Sequence, residues 1–194
     1  MKTKKYLSIL ALLLFSSIAL AHPGHTEHDF SGFISGLLHP LTGLDHLLAM
    51  FAVGLWAAQQ QGKARLVVPA TFILAMLFAG LSAAYLGITL PFVENAIAVS
   101  VLALGLLVAL AIRLPLFVAI LGTALFAVNH GYAHGVEIPV LASPAGFAMG
   151  FVLATMALHA IGFGLVSFLP PRFAPLVRML GTCSAGAGLW LLAS

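Results

Sequence analysis

Residues 91–134 read PFVENAIAVSVLALGLLVALAIRLPLFVAILGTALFAVNHGYAH. Two apolar runs, 91–112 and 115–134, flank Arg113, and Glu94 is the one acid between them. Each run has about the 20 residues that a helix needs to cross some 30 Å of hydrocarbon. Apolar residues stand at every helical phase, without the alternation of a barrel strand. Working outward, four more runs of this kind lie at 40–58, 66–86, 144–169 and 176–192, the first reaching back toward Phe33. Pro40, Pro91, Pro115 and Pro144 open four of the six, where the missing proline N–H costs little. The expectation is an all-helical (all-α) polytopic membrane protein with six transmembrane helices, filling residues 33–194.

The composition agrees. Of 194 residues, 62% are hydrophobic and 7% are charged, against roughly 25% charged in an average soluble domain. The mean hydropathy is +1.14. So few charges do not solvate a globule of this size, which excludes a soluble enzyme, a nucleic-acid-binding domain and a disordered segment. No nucleic-acid partner is expected; membrane lipid is the surrounding medium, and oligomeric state is left open. A single cysteine, Cys183, rules out an internal disulfide framework and a multi-cysteine metal cluster. It is read as a small packing residue, together with Gly181, Ala185, Gly186 and Gly188 around it.

Residues 1–21, MKTKKYLSILALLLFSSIALA, have the form of a cleaved signal peptide. Three lysines precede a short apolar run, and Ala19-Leu20-Ala21 suits cleavage. The mature chain would begin at His22, in a His-rich tract, 22–32, outside the membrane. After the signal, the basic residues are Lys63, Arg65, Arg113, Arg172 and Arg178, all in alternate connections, whereas 87–89 and 135–143 hold none. The positive-inside rule makes that side cytoplasmic and puts both termini outside. The expected location is a bacterial inner membrane, multi-pass, with a periplasmic N-terminus.

Few ionisable groups remain within the apolar runs. They are His39, Asp45 and His46 near the first run; Glu94 at the start of the third; His130 and His134 at the end of the fourth, with Glu137 beyond; and His159 in the fifth. A charge at membrane depth costs roughly 3 kcal/mol even on insertion scales, so such groups pair, line a cavity or bind something. Imidazole and carboxylate are ligands for divalent first-row metals. His130 and His134 are one turn apart, His134 and Glu137 are three residues apart, and His39 and His46 are seven apart, in line if one helix holds both. Pro40 and Gly43 are the points where such a helix would break. In the expected topology these residues converge on the outer leaflet, and scattered helix glue would not. His159 lies roughly 22 Å inward of Pro144, as a step on an exit path or as a packing histidine. His22, His25 and His28, with Glu27 and Asp29, make a tract that would capture metal loosely or serve as a solvated tether. Met50, Met76, Met149 and Met156 are read as apolar filling rather than soft ligands.

Two of these runs carry a family resemblance. His39-Pro40-Leu41-Thr42-Gly43-Leu44-Asp45-His46 resembles the HPxxGxDH signature of the HupE/UreJ family of nickel/cobalt permeases. His130-Gly131-Tyr132-Ala133-His134-Gly135-Val136-Glu137 resembles its second signature, an HGxAHGxE-like run. The resemblance covers essentially the whole chain. It implies a secondary permease, not an enzyme, that takes up Ni²⁺ or Co²⁺ as transported substrate and holds no permanent cofactor. Its functional residues carry over onto His39, Asp45, His46, His134 and Glu137, and by position onto Glu94.

The donor set suits Ni²⁺, Co²⁺ and Zn²⁺ alike. No GxxxxGK[ST] phosphate loop is present, so ATP hydrolysis by that route is not expected. An intramembrane metal-dependent hydrolase is the first alternative, but no HExxH run supports it. A haem-binding electron carrier and an accessory membrane subunit of a metalloenzyme system are the others.

Overall fold

The computed structural model describes residues 28–139 and 142–194; among them are seven α-helices and a 3-10 turn, and no strand. In chain order these are α1 (His28–Thr42), α2 (Leu44–Gln59), α3 (Ala64–Leu86), α4 (Val93–Ala109), α5 (Leu116–Val136), α6 (Pro144–Phe168), the turn Pro171–Phe173 and α7 (Ala174–Ala193). The signal expected at 1–21, and His22 and His25, lie outside the described residues; His28 is the first residue of α1.

Helices α3, α5 and α6 and the segment Pro171–Ala193 are each long and apolar enough to cross a membrane. The α1–α2 pair makes a fifth if a broken span counts as one, and α4, with 17 residues, is shorter. The chain is therefore a multi-pass membrane protein.

The run at 40–58 does not fold as a single helix. Ser31–Thr42 and Leu44–Gln59 meet at an angle of 82° across Gly43, so His39 and His46 stand on different helices and are not in line. Pro40 has no N–H to offer the carbonyl of Gly36, which weakens the last turn of α1. Thr42 Oγ1 donates to the His39 carbonyl at 2.8 Å and satisfies one of the acceptors that a helix end leaves open.

Helix α2 is the centre of the bundle. It is buried from His46 to Ala57 on most of its circumference and packs against α3, α4, α6 and α7. The surrounding helices bury one face each. In α3, Val68, Phe72 and Met76 point inward, while Leu66, Leu74 and Phe78 are exposed. Large exposed apolar side chains on outward faces are what lipid contact requires. Met50 and Met76 fill the core as expected, whereas Met149 and Met156 are exposed.

Small residues set the closest approaches. A Cβ at Gly131 would collide with the Met76 carbonyl, and one at Gly135 with the Gly80 carbonyl, so α3 and α5 lie backbone to backbone. Gly181, Ala185 and Gly188 do the same for α7 against α4. Gly186 and Cys183 do not share that packing role. A Cβ at Gly186 would meet nothing within 4 Å and Cys183 is exposed, because both lie off the stripe that 181, 185 and 188 form.

These approaches also give directions. Met76 meets Gly131 and Gly80 meets Gly135, so α3 and α5 are parallel; Leu102 meets Gly188 and Ala109 meets Gly181, so α4 and α7 are antiparallel. At one end of the bundle the basic connections are tied together. Trp56 Nε1 and Gln60 Nε2 donate to the Ile112 carbonyl at 2.8 and 3.1 Å, Arg113 Nε donates to the Gln59 carbonyl at 3.0 Å, and an Arg65 amino group donates to Ser167 at 3.3 Å. The break at Gly43 and the end of α5 lie at the opposite end.

Candidate metal centre

The break at Gly43 and the C-terminus of α5 bring the two histidine-containing runs together. Asp45 sits in the first turn of α2, where a carboxylate is favoured by the helix dipole. Its Oδ1 accepts from the His46 backbone N–H at 2.8 Å and from His46 Nδ1 at 2.7 Å. Gly43 leaves room for this fold-back. A Cβ there would lie 3.0 Å from Asp45 Oδ1 and 3.2 Å from His46 Nδ1.

His46, His130 and His134 are all buried, and their candidate ligand atoms lie within 4.8 Å of one another. Ring centroids are 4.2 Å apart for His46–His134 and 4.9 Å for His46–His130. A second group, His39, His134 and Glu137, meets the same limit. His39 Nε2 donates to Glu137 Oε2 at 2.9 Å, and His134 Nδ1 is 4.0 Å from that oxygen. Glu137, the C-cap of α5, has 45% of its side chain exposed, and His39 has 28%. His134 belongs to both groups, so the two form a descent from an exposed carboxylate to a closed trio of imidazoles.

For His46 and His130 the position of the ring proton follows from the oxygen partner. A carboxylate only accepts, so His46 carries its proton on Nδ1 and leaves Nε2 with a lone pair. At His130 the partner is Ser100, whose hydroxyl lies 2.7 Å from the Ile97 carbonyl and 2.8 Å from His130 Nε2. The carbonyl takes the single hydroxyl proton, so His130 Nε2–H donates to Ser100 and Nδ1 keeps the lone pair. His46 Nε2, His130 Nδ1 and both nitrogens of His134 are buried and have no hydrogen-bond partner among the described residues. A buried polar atom left in this state costs about 1–3 kcal/mol. One nitrogen anchored to oxygen and the other facing its neighbours is the usual arrangement of metal-binding imidazole.

Phe147 and Phe151 of α6 wall the site. Phe151 lies 3.8 Å from His134 and Phe147 lies 5.4 Å from His39, centroid to centroid. An apolar recess of about 30 Å³ lies beside His134, lined by Met76, Gly131, Phe147 and Phe151.

The structure thus brings together His39, Asp45, His46, His130, His134 and Glu137. Asp45 stands behind His46 as its anchor and in neither group of candidate ligands. Glu94 is not brought in: it is exposed in the first turn of α4 and, among the described residues, makes no hydrogen bond or ion pair with the cluster. His159 is buried on α6 and belongs to neither group of candidate ligands. Ser100 escaped the reading of the sequence, since one hydroxyl in an apolar helix carries no periodic signal.

Comparison with known proteins follows the same lines. The family model described as HupE / UreJ protein matches residues 10–191. The relative named Protein HupE from Rhizobium leguminosarum bv. viciae is 43% identical over 188 residues, covering 96% of this chain and 94% of its own. No solved structure matches the chain.

Proposed function

Because the chain belongs to the HupE/UreJ family, we propose that it takes up a divalent transition cation, Ni²⁺ or Co²⁺, through a bacterial inner membrane. The observation that carries this reading is the buried trio His46, His130 and His134, whose inward nitrogens have no partner among the described residues. On this reading the α1–α2 pair and the five other helices make six crossings after a cleaved signal. The basic connections face the cytoplasm, and the His39–Glu137 end faces the periplasm.

The cation first meets Glu137 and His39, where negative charge offsets its loss of water. It passes to His134 and then to His46 and His130, exchanging water for imidazole nitrogen. Asp45 and Ser100 hold the two rings in the tautomers that accept it. Glu94, at the outer start of α4, acts before this cluster, drawing cations toward the entrance by charge. The histidines of the N-terminal tract, His22, His25 and His28, would raise the local metal concentration on the same side. The protein supplies a pathway and no catalytic step.

The test is Ni²⁺ and Co²⁺ accumulation in cells carrying Asp45→Asn, His46→Ala or Glu137→Gln at matched protein levels. Loss of accumulation in these variants is expected; uptake equal to wild type in all three would remove the pathway.

A further inference from the structure

His159 lies on α6, one turn beyond Thr155, and is buried against Met50 of α2. Its Nδ1 is 2.8 Å from the Met50 carbonyl. A carbonyl only accepts, so Nδ1 carries the proton and Nε2 carries the lone pair. That Nε2 is buried and has no hydrogen-bond partner among the described residues. The ring is therefore prepared as those of His46 and His130 are, with one nitrogen anchored to oxygen and the other free.

His159 borders a cleft of about 260 Å³ that shares no residue with the outer cluster; Gly54, Arg65, Pro69 and Phe163 border it too. Gly54 admits the α6 backbone at His159, where a Cβ would strike the His159 carbonyl. Between the outer and inner imidazoles stands one ring. Phe72, fully buried, touches His130 at 5.6 Å and His159 at 5.4 Å between centroids. Met50, which anchors His159, lies one turn after His46 on α2.

We propose that His159 is a second, inner ligand station for the transported cation, receiving it from the outer trio past the Phe72 ring and releasing it into the cleft beside Arg65. This inference rests on the transport reading above. The Arg65 guanidinium stacks 4.9 Å from the Phe163 ring and repels a cation in the same cleft. The inner station is accordingly weak, as a site that must pass its ion onward has to be.

The discriminating variant is His159→Asn. The asparagine amide reaches the Met50 carbonyl as Nδ1–H does, but it offers no imidazole lone pair. Purified protein is titrated with Co²⁺ to read the outer cluster, and Ni²⁺ flux is measured in liposomes. His159→Asn should keep the Co²⁺ affinity of the outer cluster and lose about tenfold or more in flux, on the scale of a lost interaction at a metal site. Wild-type flux in His159→Asn would overturn the inference, as would a loss of flux that follows a loss of Co²⁺ binding. His46→Ala separates the two levels. If it binds and transports like wild type, the transport pathway itself fails; if His46→Ala is inactive and His159→Asn is normal, only the inner station fails.

Discussion

A neutral imidazole holds a cation only through the nitrogen that carries no proton. Residue by residue, the site is therefore decided by the oxygens behind the rings: Asp45 Oδ1 behind His46 and Ser100 Oγ behind His130. Ser100→Ala leaves His130 Nε2–H buried and unpartnered and frees the ring to take the other tautomer. Metal affinity of the purified protein should fall about tenfold, within the range seen when a ligand's hydrogen-bond partner is removed. Ser100→Thr, which keeps the hydroxyl, should recover most of it. Asp45→Asn keeps an acceptor for Nδ1–H but removes the charge, so it should bind metal more strongly than Asp45→Ala. Isothermal titration with Ni²⁺ checks both series. The residue types of this site were legible from the sequence, because acids and imidazoles are rare in apolar runs and the 130/134/137 spacing puts three on one face. The separate roles of Asp45 and Glu137 were not legible, since which carboxylate faces a ring and which faces solvent depends on the break at Gly43.

Among the helices, two kinds of glycine serve two purposes. Gly131 and Gly135 lie in the second histidine run but face α3, where their carbonyl neighbours leave no room for a methyl group. Gly131→Ala should force α3 and α5 apart and cost about 1–3 kcal/mol, the usual toll of overpacking. The checks are protein level and thermal stability in detergent, with Gly122→Ala as a neutral control because its surroundings are open. Gly43 differs, since its Cβ would press on Asp45 and His46 rather than on another helix. Gly43→Ala should leave protein level near wild type and lower metal affinity. The positions of α3 to α7 were readable to within a few residues, because a run of lipid-compatible length has one way to satisfy its backbone. The 82° turn between α1 and α2 was readable only as a weak point, Pro40 with Gly43. Its angle is fixed by packing: Gly36 of α1 lies on the Phe147 backbone of α6, a contact between segments far apart in sequence.

Across the bundle as a whole, the histidine cluster occupies one end and the basic connections occupy the other. If transport runs between those ends, protons and metal compete for the same nitrogens at the entrance. Uptake at constant free Ni²⁺ should then decline as the outside solution is acidified, with initial rates in liposomes as the readout. Whatever route the ion takes beyond them, the imidazoles of His46, His130 and His134 are expected to bind it together. X-ray absorption at the nickel edge, on purified protein loaded with less than one equivalent of Ni²⁺, reads those ligands directly. Imidazole scattering that weakens in His46→Ala and in His134→Ala is the expected result. A spectrum of oxygen ligands alone, unchanged in both variants, would contradict shared binding by the three rings.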